Sequence, residues 1–512
     1  MRKVSSLIVA LVILACGCSP TENWEDTPPI DVEPTSESQP VTTIEPTAES
    51  QPVTPINWII PKGTTHISES YINQLLIEKG LPYSINFIEK GEKDERDYTI
   101  NYLDEVLLAK ENGEEADLIF SGYGWVGSVD EPIGHNIIAE GVYLPLDDFL
   151  KTELGDKLRG AYHDLVWESF ETDGSVYGVS CNKMSLWRKA VVYNAAMAEK
   201  YEIDPARLAQ PLWDLEPLLA EILEGESDNP DFRPVQWSHP LSMMPDYTMI
   251  SSTQFLFCDE TSGDTRAENI YDTEEMRMLW DTAQDFQSKG YMQTMEQCMQ
   301  SLQNQNPEDT FMSYDIIMCP TYFERVFDGT GMAYVPIGEY VYADDFNYAN
   351  IGVASWCTRP EDAFSLLASI MSDPSLSNAF TWGLEGTNYS LVDGRAVKTG
   401  LNGITFPYQL SGNEMISYPG FYEPVDKQSE FDSIYSNAKK SKLFGFYFDR
   451  RGIADVFTSV FDLNDNLSSY LGEEDPYAIP LADIVESLND AGMGEILEEA
   501  NRQIKEWEGE AT

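Results

Sequence analysis

Basic residues are scarce in this chain for its size. Across 512 residues it carries 32 lysines and arginines against 87 aspartates and glutamates, a formal net charge of −55. A field of that sign repels nucleic-acid phosphates and anionic membrane surfaces, and no basic stripe interrupts it, so the sequence argues against nucleic-acid binding. Histidine is also scarce: His66, His135, His163 and His239 lie scattered, with no helical pair, which argues against a zinc site. Of seven cysteines, the five beyond the N-terminal segment (Cys181, Cys258, Cys298, Cys319 and Cys357) are irregularly spaced and odd in number. That is no disulfide framework, and such residues read as small core side chains. Gly-x-Ser-x-Gly and Walker-type glycine loops are absent, so the chain does not hydrolyse ATP itself. Asp462, Asn464, Asn466 and Glu473 have the spacing of a calcium loop, but Leu467 stands where its sharp turn needs glycine. Leu463, Leu467 and Tyr470 fit a helix face there instead. No metal and no cofactor is expected. The 87 carboxylates make chance pairs inevitable, and nothing marks two of them for glycoside hydrolysis.

What the chain does have is enough apolar material for large cores: 42% hydrophobic residues and 12% aromatic. At ~100–200 residues per domain its length suggests two to four compact units. Arg2 and Lys3 precede an apolar run over 7–15 and then Ile13-Leu14-Ala15-Cys16. The run is far short of the roughly 20 residues that span a bilayer. It resembles a bacterial lipoprotein signal peptide over 1–15, in which Cys16 becomes the lipidated N-terminus, with Cys18 as the alternative. Residues 16–55 follow as a Pro/Ser/Thr/Glu tether, in which the segment from Pro34 repeats twelve residues on from Pro46. Such a composition cannot bury a core and stays extended.

From residue 56 the pattern changes. Strand-grade runs over 56–60, 84–89 and 117–120 alternate with helical spacing over 71–79 and 103–110, the signature of an α/β lobe. Asp173-Gly-Ser-Val-Tyr-Gly-Val then leads through Ser180, Cys181, Asn182 and Trp187 to Val191-Val192-Tyr193-Asn194. Two strand-like runs split by polar and aromatic residues predict a chain crossing between two bodies, with this stretch as the floor of a binding gap. Further strands are expected over 315–319, 332–336 and 351–354, a helix from Pro360, and a second crossing near Ser355 and Trp356.

The order of these motifs, with Gly141-Val-Tyr-Leu-Pro-Leu-Asp-Asp-Phe-Leu, Leu212-Trp-Asp-Leu, Arg359-Pro-Glu-Asp-Ala-Phe, Trp382-Gly-Leu-Glu-Gly-Thr-Asn-Tyr and Phe444-Gly-Phe-Tyr-Phe-Asp, resembles the extracellular solute-binding lipoproteins of ABC importers (family 1, carbohydrate type), specifically their LipO-like branch. The resemblance covers about residues 56–507. It implies a two-lobe, periplasmic-binding-protein-like clamp of type II, each lobe a mostly parallel sheet flanked by helices. Lobe 1 is expected over 56–180 with about 352–400 returning to it, and lobe 2 over 181–351 with about 401–512 returning. It implies no enzyme activity, a small-molecule ligand, a membrane permease as partner, and an extracytoplasmic, lipid-anchored location. One departure stands out: the family often has proline where this chain has Ser180-Cys181.

Aromatic residues carry the ligand expectation. Sugar rings offer apolar C–H faces to Trp and Tyr while their hydroxyls seek carboxylates and amides, so the mixture suits an oligosaccharide. Trp58, Tyr123, Trp125, Trp187, Tyr322, Trp356, Trp382 and Tyr389 sit at expected strand ends or crossings. Asn182, Asp246, Glu385 and Asn388 are the polar partners. A peptide ligand, a transport-linked sensor, or a surface enzyme acting on glycans are the alternatives.

Overall fold

A computed structural model of the chain describes residues 53–63, 68–93, 99–121, 137–172, 174–182, 186, 188–250, 253, 255–304, 309–317, 319–342, 349–398, 410–468 and 475–510. The expected signal peptide, Cys16, Cys18, the tether as far as residue 52, and Tyr123, Trp125 and Trp187 lie outside the described residues, as does the side chain of Tyr322. The chain forms two compact units. The first comprises described residues 53–182 and 349–435, the second 186–342 and 436–510, so the chain passes from one to the other three times.

The first unit is built on a five-stranded sheet in the order Tyr83–Lys90, Thr54–Pro61, Leu118–Ser121, Asn350–Val353, Val179–Ser180. Trp58, Ile59 and Ile60 are all at most 1% exposed, as a strand covered on both faces requires. Helix Glu69–Glu78 begins where Ser68 Oγ accepts the Tyr71 N–H, buries Ile72 and Leu76, and stops before Gly80 at φ +72°. Helix Pro374–Trp382, capped by Asp373, lays Phe380 5.8 Å from the Trp58 ring, on the same face as Phe87 at 5.6 Å. On the other face, helix Tyr102–Asn112 sends the Tyr102 hydroxyl to Phe120 O at 2.7 Å, within a core that includes Ile59 and Ile119.

The second unit carries a four-stranded sheet in the order Arg233–Val235, Thr310–Ile317, Arg188–Asn194, Met332–Ile337. Its core runs from the sheet through helix Glu274–Lys289, which buries Met276, Leu279, Trp280, Ala283 and Phe286, to the C-terminal helices Leu481–Ala491 and Met493–Glu510. Helix Ala454–Ser468 runs through Asp462 and Asn464, so these residues belong to a helix and not to a calcium loop. Segments Val341–Tyr342 and Lys439–Lys440, each next to a crossing, pair in parallel with one another.

Both sheets are mixed, where mostly parallel ones were expected. Thr54–Pro61 pairs in parallel with both neighbours, but Asn350–Val353 runs antiparallel to both of its own. In the second sheet Arg188–Asn194 is antiparallel to its two partners. The reason is topological: these two strands are the ones entered directly from a crossing, at the edge where their neighbours end, so they run back against them. Two boundaries also differ from expectation. The second crossing precedes Asn350 instead of lying near Trp356, and residues 410–435 pack in the first unit. Buried Leu410, Ser411 and Asn413 hold them there.

Among the described residues no helix is long and apolar enough to cross a membrane, and no group of three or more His, Cys, Asp or Glu is placed to hold a metal. All five described cysteines remain thiols.

A candidate ligand site at the carboxyl edge

Ligands of open α/β sheets gather beyond the carboxyl ends of the strands. In the first unit that edge ends in Ser121 and Ser180, with Asn350 starting the strand between them. Asn350 is fully buried; its Oδ1 accepts from Ser121 Oγ at 2.7 Å and lies 3.3 Å from the Tyr143 hydroxyl. Past Ser180 the backbone turns at Asn182, whose φ of +52° is a left-handed conformation that asparagine tolerates. Asn182 is only 2% exposed, and its Nδ2 donates to Asn413 Oδ1 at 2.9 Å. Asn413 Nδ2 in turn donates to Ala161 O (3.1 Å) and Met371 O (3.0 Å). The Glu414 N–H reaches Cys181 O at 3.0 Å, and the Cys181 thiol donates to Ser411 O at 3.2 Å. Segment 411–414 is thereby fastened to the start of the first crossing.

The same segment leads to the aromatics. Ser417 Oγ donates to Asn413 O (2.8 Å) and lies 3.1 Å from Thr381 Oγ1. The Tyr418 N–H donates to Asn378 Oδ1 at 2.6 Å, and Trp382 Nε1 donates to Tyr418 O at 2.9 Å. Ring centroids follow at 6.4 Å from Trp382 to Tyr389 and 6.3 Å from Tyr389 to Tyr418. Trp382 and Tyr389 are buried, whereas Tyr418 is 37% exposed and neighbouring Phe421 40%. Burial, then the charge of Glu385, then Tyr418 and Tyr71 push the Tyr389 phenol well above its ordinary range. Burial, Glu78 and Glu385 raise Tyr71 as well. Exposed Glu385 and half-buried Tyr71, the latter contributed from the first turn of helix Glu69–Glu78, thus lie near the buried Tyr389, whose other side faces the exposed ring of Tyr418.

The structure thus brings together Trp382, Glu385 and Tyr389, and joins Asn182 to them through Asn413 and Ser417. Asn388 lies on the same turn, but its Oδ1 accepts the Leu384 N–H at 2.9 Å, so it shapes the turn. Asn182 is likewise occupied by Asn413 and acts as a brace. Trp58 is a correction: wholly buried between Phe87 and Phe380, it is core. Trp356 is a second correction: only partly buried, it lies just past strand Asn350–Val353, which runs antiparallel to Leu118–Ser121 and ends beside Leu118 at the amino edge, and there its Nε1 donates to Glu114 O at 2.9 Å. Tyr322 belongs to helix Pro320–Phe327 of the second unit. Tyr71, Tyr418, Phe421 and Asn413 were not anticipated. The cluster Tyr418-Pro-Gly-Phe-Tyr422, aromatics around a Pro-Gly turn, was the signal available for two of them.

In the second unit the corresponding edge carries Lys189, one residue inside the strand entered from the first crossing. Its Nζ donates to Met244 O, and burial draws the ammonium down to about 7 against the opposing pull of Asp246. Asp246 itself is exposed, and burial and Asp259 raise its carboxyl despite Lys189 and Lys439. Beneath them buried His239 is pulled down to about 4, first by burial and then by Lys189, and its Nδ1 accepts the Leu241 N–H at 3.3 Å.

No family model matches the chain. A curated protein of Streptococcus pneumoniae serotype 4, described as a carbohydrate ABC transporter substrate-binding protein, is 22% identical over 430 residues, covering 78% of this chain and 86% of that protein. Among solved structures, the N-glycan transport solute binding protein NgtS of Streptococcus pneumoniae superposes with a TM-score of 0.62 at 17% identity, over 89% of this chain and 99% of that one. The same protein in complex with Man5GlcNAc gives a TM-score of 0.53 at 18% identity, over 89% and 98%. This chain is therefore a two-lobe α/β protein with the fold of the extracellular solute-binding proteins, and it resembles the substrate-binding proteins of carbohydrate ABC transporters, as the order of its motifs implied.

Proposed function

We propose that the protein captures an oligosaccharide outside the cytoplasm and delivers it to an ABC import permease, with no turnover of its own. The observation that carries this reading is the aromatic cluster of Trp382, Tyr389 and Tyr418 near the carboxyl edge of the first unit, with the Tyr418 ring exposed and Glu385 exposed on the turn between Trp382 and Tyr389. Stacking of sugar C–H faces on Tyr418, with Glu385 accepting from hydroxyls, is the recognition such a surface offers. The description of the pneumococcal relative and the glycan bound by NgtS support the same class of ligand. Tyr123, Trp125 and Trp187 remain proposed contacts. Residues 1–15 are proposed as a signal peptide and the stretch from 16 to about 53 as a tether, two residues shorter than expected because strand Thr54–Pro61 already includes 54 and 55, anchored through acyl chains on Cys16, or on Cys18. Two or more chains would hold the protein stably on a membrane where one would not.

A thermal-shift screen of oligosaccharides and peptides tests the ligand class. A ligand at a hundredfold excess over its dissociation constant stabilises by about 2.7 kcal/mol. Stabilisation by peptides alone, or conversion of the oligosaccharide over hours, would overturn the reading. For the cluster, Tyr418→Ala is expected to weaken binding about tenfold or more by calorimetry while leaving the ligand-free melting temperature nearly unchanged, because the ring is largely at the surface. Unchanged affinity would remove Tyr418 from the site. For the anchor, mass spectrometry of the membrane-extracted N-terminus should find acyl chains on Cys16; a modified Cys18 would shift the cleavage site by two residues.

A further inference from the structure

In a chain with 32 basic residues among 512, two from one short stretch, Lys439 and Lys442, are spent on a single loop of the second unit. Lys439 Nζ donates to Glu260 O at 3.3 Å. Lys442 Nζ lies 2.7 Å from both Asp259 O and Ser262 O, 3.1 Å from Ser262 Oγ and 3.4 Å from Asp264 O. An ammonium has three hydrogens to donate, so four oxygens around one nitrogen are more than it can use and form the shell of an ion. Glu260, 6% exposed, brings the lysine to this point. Its Oε1 accepts from Ser441 Oγ at 2.6 Å and its Oε2 from the Lys442 N–H at 3.2 Å.

The loop has bonds of its own that hold this shape without the lysine. Asp259 Oδ1 accepts from the Thr261 N–H and from Thr261 Oγ1, both at 2.7 Å, and from the Ser262 N–H at 3.1 Å. Ser262 Oγ donates its proton to Asp264 O at 2.7 Å, which leaves its lone pairs for the ammonium. Three carbonyl dipoles aimed at one point repel one another unless a cation lies between them. All four oxygens are neutral, and carbonyls of this kind can replace the hydration shell of a potassium ion. The closest contacts, at 2.7 Å, leave more room than the roughly 2.3–2.6 Å at which calcium holds its oxygens. We propose that loop 259–264 is a binding site for a monovalent cation of ammonium size, filled in this chain by its own Lys442. The segment from Ser441 is thereby docked by ligation. With the ammonium removed, the site takes potassium or a small alkylammonium ion from solution.

Melting curves of the full chain carrying Lys442→Ala, or Lys442→Met with its apolar stem, test this. Both variants should melt lower than the parent. At about 0.2 M, potassium or methylammonium chloride should raise them by roughly 3 °C or more relative to tetramethylammonium chloride, whose ion is too large to enter. The parent should not distinguish the three salts. Hydrogen exchange over residues 259–264 should slow in the variants with the same two ions, a local readout that a general salt effect would not move. Should either variant stay unfolded in tetramethylammonium chloride, recovery of its melting transition in potassium or methylammonium is the same test. Variants that melt like the parent, or that answer all three salts alike, overturn the proposal. Stabilisation by calcium chloride alone overturns it too.

Discussion

Gly412→Ala is expected to lower the melting temperature of the first unit by roughly 6–12 °C and to remove most of its ligand affinity. A Cβ at this position would stand 2.4 Å from Ser377 Cα and 2.5 Å from Ser377 O, both backbone atoms of helix Pro374–Trp382. Ser377 cannot withdraw: its Oγ donates to Ile370 O at 2.7 Å and accepts the Asn413 N–H at 3.2 Å. The segment 411–418 would have to lift instead, loosening the Asn182–Asn413 bond and the Tyr418 O contact of Trp382. Overpacking of this kind costs about 3 kcal/mol, and each kcal/mol lowers the melting temperature by roughly 2–4 °C for a unit of this size. Gly263→Ala, with nothing within 4 Å, is the matched control and should be near neutral. A Gly412→Ala protein that melts and binds like the parent would show that segment 411–418 is not seated on this helix.

Removing the charge of Asp315 should change the pH dependence of the second unit. Asp315 lies in strand Thr310–Ile317 and is 8% exposed; burial pushes its carboxyl up to about 7, with the Ile316 N–H at 2.7 Å in partial opposition. The unfolded chain loses this proton near pH 4, so between about pH 4 and 7 the folded state binds the extra proton. Stability then falls as pH rises through that window, by up to about 4 kcal/mol from this group alone. Asp315→Asn keeps an acceptor for Ile316 and should melt higher than the parent at pH 8 but alike at pH 4. Lys189 works in the opposite sense. Its folded ammonium gives up its proton near 7, so between about pH 7 and 10 the unfolded state binds more protons and stability rises with pH. Lys189→Met should flatten that upper limb. Melting curves for the Asp315→Asn protein that parallel the parent's from pH 4 to 8 would rule out a buried, uncompensated carboxyl.

The elements with strong periodicity were legible. Helix Glu69–Glu78 was expected over 71–79, strand Tyr83–Lys90 over 84–89, and helix Pro360–Ser372 from its proline, because caps and apolar spacing are local signals. Strand direction was not legible: β-branched runs such as those of Arg188–Asn194 and Asn350–Val353 look the same whichever way the neighbours run. Aromatic residues were read by their nearness to strand ends, which cannot distinguish the two ends of a strand or the two sides of a ring. Trp58 and Trp356 were misplaced for that reason, whereas the turn at 383–389 kept Trp382, Glu385 and Tyr389 together because their proximity is sequential. Tyr418 and Asn413 escaped notice because what makes them matter is contact with residues 36 and 231 positions away.

The threefold exchange of the chain between units has a consequence for synthesis. The first unit lacks the strand Asn350–Val353 and the segment that seats Asn182 until residue 435 has been made, and the second lacks its closing helices until about residue 510. The first unit therefore cannot be completed until residue 435 has emerged, nor the second until about residue 510 has, and neither can be expressed as one continuous fragment. Their native contacts join residues hundreds of positions apart, a topology that folds slowly and leaves apolar surface open to aggregation meanwhile. Against that hazard the −55 charge has a second use: it keeps half-made chains apart until their last helix arrives.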